Sequence, residues 1–183
     1  MEGLVWSATL PLSWVLLEAM PTATELANQC EANLRVLRNV TMLEDLSHVA
    51  GDPHLAPGTE MARVERKLDL LLDLMQHFIS TEVARPTRRA LSLTGDGIEW
   101  QGGDMPSPGS LIGISVHLNE TYPRALQLNA TVAGVRNGVW SETGPGARAR
   151  VDFVNHGEEV CDALDKLVFQ QHRREIAARR RGF

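Results

Sequence analysis

Residues 6–16 read WSATLPLSWVL, and this stretch decides the fold. The even positions Trp6, Ala8, Leu10, Leu12, Trp14 and Leu16 are apolar, and Ser7, Thr9 and Ser13 fall between them. Alternation with a period of two marks a half-buried strand. Pro11 has no N–H to donate, which predicts a sheet edge or a bulge at that point. A strand is not stable alone. The next residues with the same period lie after Pro86, so residues 6–16 must pair with a sheet formed after residue 88. Everything between is then an insertion after the first strand.

The insertion reads as two helices. Thr22 and Glu25 have the spacing of a capping box, in which each side chain satisfies a backbone amide of the first turn. Leu26, Cys30, Leu34, Leu37 and Val40 form an apolar face that predicts a helix from 22 to about 46. Gly51, Pro53, Pro57 and Gly58 mark a loop. Residues 61–79, MARVERKLDLLLDLMQHFI, form a second helix capped by Thr59. Met61, Val64, Leu68, Leu71, Met75 and Phe78 recur at alternating steps of three and four, the a/d seam of a coiled coil. Leu72 and Ile79 fall at e, and Leu74 falls at g. A two-stranded coil carries charge there, so this wider stripe suits a bundle of three or four helices. A plain core helix of a helical domain is the other reading. An insert projecting from a closed fold has little to cover its outer stripe. The first helix shields one side and other copies of the chain shield the rest, which predicts self-assembly, with four copies the expected number. The expected interface is Met61, Val64, Leu68, Leu71, Leu72, Met75, Phe78 and Ile79.

After Pro86 the period is two. Leu91 and Leu93, then Ile98 and Trp100, read as one strand interrupted at Gly95–Gly97. Pro108 and Gly109 make a turn before Ile112, Ile114, Val116 and Leu118. Leu126, Leu128, Ala130 and Val132 alternate again, with Val139 and Trp140 closing that hairpin. Gly144, Pro145 and Gly146 read as a further turn. Ala149, Val151 and Phe153 face one way, and Arg148, Arg150 and Asp152 face the other. Short, evenly spaced strands with turns between them predict a small barrel. A last helix runs from about Glu158 to Arg181, with Val160, Leu164, Leu167 and Val168 on its apolar face.

The 183 residues suffice for one domain with a real core, and the net charge is −5. The charge is uneven: residues 1–84 carry 5 basic and 12 acidic groups. His172 to Phe183 carries five arginines and one glutamate. The acidic bulk argues against nucleic acid as the main partner. Two cysteines, Cys30 and Cys161, demand no disulfide and fit a reduced cytoplasmic compartment. No leader pattern and no membrane-spanning apolar run is read. No phosphate loop, GxGxxG, GxSxG elbow, HExxH or paired CxxC occurs, and the six histidines lack metal spacing, so neither catalysis nor a metal site is expected. Arg85, Arg88 and Arg89 form a basic patch just before Ser92 and Gly95. Their guanidinium forks can bind phosphate or stack on a base; equally, they can be a solvated strand start beside acidic helices. The basic C-terminal run can meet an acidic partner or complement its own helix dipole.

Leu91-Ser92-Leu93-Thr94-Gly95 resembles the Ser-x-x-Gly part of the (Asp/Asn)-x-Ser-x-x-Gly signature of the PilZ domain. That domain is a bacterial six-stranded barrel with a C-terminal helix, and many of its members bind cyclic di-GMP. Pro108-Gly109 resembles that family's lead-in to a central strand, Arg150-Val151-Asp152-Phe153 its late strand, and Leu164 to Arg174 its closing helix. The likeness covers about residues 5–18 and 88–178. It departs in two places: Ala90 stands at the signature's Asp/Asn position, and residues 1–9 lack the Arg-x-x-x-Arg segment that precedes the first strand. Arg85 and Arg89 have that spacing but follow the inserted helices.

A subgroup of atypical, tetrameric PilZ proteins departs in this way, and residues 22–82 are similar to its inserted helices. The resemblance implies a single domain over residues 1–183, mainly β with α additions. This is a six-stranded PilZ-like β-barrel with a helical hairpin inserted after strand one, at 22–82, and barrel strands and a C-terminal helix over 88–181. It further implies a homotetramer and a non-catalytic regulatory or adaptor role in bacterial cyclic di-GMP signalling. It would act on an unidentified protein partner, with the usual nucleotide site lost. The alternative is a direct cyclic di-GMP receptor with a site rebuilt from Arg85, Arg88, Arg89, Ser92 and Gly95.

Overall fold

The computed structural model describes residues 4–48, 86–119, 122–141 and 144–181, together with the helical positions Val64, Lys67, Leu68, Leu71 and Met75. Six strands close into an antiparallel barrel: β1 (Trp6–Leu16), β2 (Arg88–Leu93), β3 (Gly97–Gly102), β4 (Leu111–Val116), β5 (Leu126–Ser141) and β6 (Gly144–Phe153). Helix α1 (Ala23–His48) follows β1, and helix α2 (Glu158–Arg181) ends the described chain. The order around the barrel is β1-β2-β3-β6-β5-β4. The insertion expected after the first strand is therefore present. Its second helix falls mostly on residues outside those described.

β1 is the joint of the barrel. Its first half, Trp6 to Pro11, pairs with β2, and its second half, Leu12 to Leu16, pairs with β4. Pro11 sits where the strand changes partner, so its missing N–H costs the ladder nothing. The Pro11 carbonyl accepts from His117 N–H at 3.0 Å, and Leu12 N–H donates to the Thr87 carbonyl at 3.2 Å. Trp6, Leu10 and Leu12 face the core as the alternation predicts, whereas Leu16 at the strand end is exposed.

Two expectations are corrected, an interrupted strand and a turn. Leu91–Leu93 and Ile98–Trp100 are not one interrupted strand but an antiparallel hairpin, with Leu93 opposite Ile98. The reversal is built by Thr94: its N–H donates to the Gly97 carbonyl, and Gly97 N–H donates to Thr94 Oγ1 at 3.1 Å. Gly144, Pro145 and Gly146 are not a turn but the start of β6, paired with Ser141, Val139 and Gly138. Val139 and Trp140 therefore belong to a long β5 rather than closing its hairpin. Proline is tolerated at such a strand start.

α2 buries Val160, Leu164, Leu167 and Val168 on the barrel core, each 1% exposed. Each such side chain contributes about 1.5–3 kcal/mol relative to exposure. α1 packs on α2 and on β5. Its cap is the expected one: Thr22 N–H donates to Glu25 Oε2 at 2.8 Å, and Glu25 N–H to Thr22 Oγ1 at 3.4 Å. Its most buried face is Asn33, Val36, Leu37 and Val40, rotated slightly from the expected one. At the far end of α1, Glu44 accepts from Gln171 and Arg174 of α2.

Candidate functional site

Strand alternation divides the five residues expected to hold a nucleotide. On β2, Leu91 and Leu93 are buried, so Arg88, Ala90 and Ser92 face outward. Arg88 is exposed and donates from Nη2 to the Thr9 carbonyl at 2.7 Å. Arg89 lies on the inward side, opposite Leu10, and reaches across the barrel end, where Nη1 donates to the Asp104 carbonyl at 3.4 Å. Ser92 is on the outer face, with Oγ 3.3 Å from Ser7 Oγ. Arg85 lies outside the described residues.

Gly95 is at the other barrel end, in the β2–β3 reversal. A Cβ there would lie 1.9 Å from Asp165 Oδ1 on α2. The glycine thus lets the closing helix approach the turn. Of the four that are described, Ser92 alone lines the groove described next.

A groove of about 530 Å³ opens on the outside of the barrel, over β1, β2, β3 and β6. Ser7, Thr9, Ala90, Ser92, Glu99, Gln101 and Arg148 line it. Hydroxyls stand on the β1–β2 side and a charged pair on the β3–β6 side, where Arg148 Nη1 is 2.8 Å from Glu99 Oε1. Sequence alternation places Arg148 and Arg150 on one face; it does not show that the barrel order brings that face beside Ser92. The signal is the sheet order, which strand patterning alone does not contain.

A polar junction joins α1 to the barrel. Asn33 donates from Nδ2 to the Gln127 carbonyl at 2.6 Å and accepts from Gln127 N–H at 2.9 Å. Gln29 Oε1 accepts from Asn129 Nδ2 at 2.7 Å. The ladder with β6 starts at Ala130, so these amides complete the stretch of β5 that β6 does not reach. His156 Nε2 lies 2.9 Å from the Asn129 carbonyl. Burial pushes the His156 pKa down, and the bond to Asn129 opposes this in part. Burial, then the carboxylates of Asp165 and Asp162, push the Cys161 thiol up, which makes it a poor nucleophile. Among the described residues, no group of three or more His, Cys, Asp or Glu side chains is placed to hold a metal ion. No described helix is long and apolar enough to cross a membrane.

Of the eight expected interface residues, Val64, Leu68, Leu71 and Met75 are described. They are 49%, 54%, 55% and 61% exposed in the single chain. Steps of four, three and four put them on one helix face. Met61, Leu72, Phe78 and Ile79 lie outside the described residues.

The family model of the atypical PilZ domain, described as a cyclic di-GMP receptor, matches residues 37–181. That description names a receptor and no catalytic activity. Among solved structures, the chain is similar to a pathogenic protein of Xanthomonas campestris. That protein is described as a new tetrameric PilZ domain self-assembled via an unusual helical bundle. The likeness covers 96% of this chain and 91% of that one, at 23% identity and a TM-score of 0.69. At that identity it is a likeness of fold. No curated protein matches the chain. The family match takes in α1 from Leu37, five of the six barrel strands and all of α2, and the sixth strand closes the same barrel. The chain belongs to the atypical PilZ domain family.

Proposed function

We propose that the chain is a single-domain, non-catalytic adaptor of cyclic di-GMP signalling in the bacterial cytoplasm. It assembles as a tetramer through residues 61–79 and acts by contact with a protein partner. The observation that carries this is the stripe of Val64, Leu68, Leu71 and Met75, 49–61% exposed in one chain. Large exposed apolar side chains in helical register mark an interface. The tetrameric helical bundle of the Xanthomonas protein supports the same reading. Sedimentation velocity tests it: a species of four chains is expected, and a folded monomer at micromolar concentration overturns it. Leu68→Glu with Leu71→Glu places carboxylates in the seam and is expected to yield monomers.

The usual nucleotide site is lost in this reading. Ala90 has no polar side chain where the family signature has Asp or Asn, and Gly95 is taken up by packing against Asp165. The family's description as a cyclic di-GMP receptor favours a second reading, direct binding at a rebuilt arginine site. Calorimetry with cyclic di-GMP separates the two. No heat at about 100 μM protein is expected. Saturable heat, lost in Arg88→Ala with Arg89→Ala, would establish the second reading.

A further inference from the structure

The outer face of β5 and β6 carries a charge arrangement that the barrel itself does not need. Arg136 stands directly opposite Arg148 across the ladder. Arg150, two residues further along β6, stands opposite Gly134 on one side and Glu99 on the other. All three point outward, because Ala149 and Val151 between them are fully buried. Like charges directly opposite on a sheet repel. Among the described residues, two carboxylates stand beside them. Glu99 is 2.8 Å from Arg148, while Asp152 is 3.8 Å from Arg150, beyond hydrogen-bond distance. Among the described residues no ion pair joins the exposed Arg136.

We propose that this face, with the groove beside it, docks an extended acidic segment of a partner protein. The proposal rests on the adaptor reading above and names the surface and the chemistry of its contact. Arg148 and Arg150 are two residues apart on a strand, about 7 Å. An extended peptide repeats same-side side chains at that spacing, so alternate carboxylates meet successive guanidinium forks, each able to bind two oxygens. Ala90 leaves the groove floor open, and Ser7, Thr9, Ser92 and Gln101 offer hydrogen bonds to a peptide backbone. A nucleic acid fits less well. Single-stranded bases need an exposed aromatic platform, and the groove's one ring, Trp100, is 1% exposed.

The test is fluorescence anisotropy with a labelled 12-residue peptide of alternating Glu and Ser. Its controls are the Gln/Ser counterpart and a 12-residue oligothymidylate. The Glu peptide is expected to bind the wild-type protein at least about tenfold more tightly than either control. Arg136→Ser with Arg150→Ser should lose about tenfold or more while keeping the melting transition. Should that pair lose its cooperative melt, Arg136→Ser alone, at an exposed position, must show the loss. The Leu68→Glu/Leu71→Glu protein separates this proposal from the assembly. One peptide fills one barrel, so a monomer should bind with unchanged affinity per chain. Equal binding of the Glu and Gln peptides, full affinity in a folded arginine variant, or tighter binding of the oligothymidylate would each overturn the proposal.

Discussion

The barrel and the heptad helix treat the same kinds of side chain in opposite ways. Inside the barrel, Ile112, Ile114, Val116, Leu126 and Val151 are 0% exposed. On the helix, Val64, Leu68, Leu71 and Met75 are 49–61% exposed. The barrel is closed by its own six strands, and α2 covers its core from within the same chain. These four described helix side chains have no such cover in one chain. With assembly through residues 61–79 as proposed, the difference teaches that stability and assembly are held by separate parts. In that reading a monomer keeps a complete core, and what it lacks is a cover for Val64, Leu68, Leu71 and Met75.

The sharpest way to break this comparison is to damage each part and look for damage in the other. Trp100 is 1% exposed, and its indole N–H makes no hydrogen bond among the described residues, so its contribution is packing. Trp100→Ala is expected to cost about 3–5 kcal/mol in urea denaturation. Leu68→Glu with Leu71→Glu should abolish assembly while leaving the barrel's near-ultraviolet circular dichroism in place. If the monomer made this way loses its tertiary signal, the two parts are not separable and the comparison fails.

The junction between α1 and β5 sharpens it further, because there the insert touches the barrel. Asn33 is 1% exposed and satisfies both backbone groups of Gln127. Asn33→Ala removes both bonds, and the Gln127 carbonyl keeps only Gln29 Nε2, at 3.2 Å. A loss of about 1–3 kcal/mol is expected. Hydrogen exchange should rise first in α1 and only then in β4 and β5. Uniform loss of protection across the barrel would show that α1 is part of the core rather than docked upon it.

Much of this architecture was legible in the sequence, and the reasons are local. Alternation in residues 6–16 reports one buried face, and the lone strand forces the insertion. The capping box at Thr22 and Glu25 depends only on neighbours three apart, so it was legible and was found. The two corrected stretches are both glycine-rich: Gly95–Gly97 turns the chain back where an interrupted strand is expected. Gly144-Pro145-Gly146 has turn composition, but strand pairing with β5 overrides it at the start of β6. Asn33 was passed over because a polar residue on a helix normally marks the wet side. Its burial makes sense only once a strand with unpaired backbone groups is set beside it. The groove was illegible for the same reason: Ser7, Ser92, Glu99 and Arg148 are far apart in sequence, and barrel closure alone makes them neighbours.

The smallest expected effect comes from His156, at the join between β6 and α2. Its ring meets Phe153 edge-on at 5.6 Å, and Nε2 faces the Asn129 carbonyl, so it ties the β6–α2 join to β5 beside the residues that receive α1. Burial holds its native pKa below the ordinary 6.5, and the bond to Asn129 only partly offsets this. The unfolded chain therefore takes up the proton first as pH falls. In the window between 6.5 and the lower native value, the unfolded state binds more protons than the native one, so stability rises with pH. The contribution is fully present above 6.5, declines as pH drops through that value, and levels off once the native ring is protonated too. His156→Asn keeps a donor for the Asn129 carbonyl but cannot titrate. Urea midpoints measured from pH 7.5 to 5 should fall less steeply for this variant than for the wild type. Parallel slopes would mean that the ring is solvated in the native protein and that burial at the β6–α2 join does not hold it neutral.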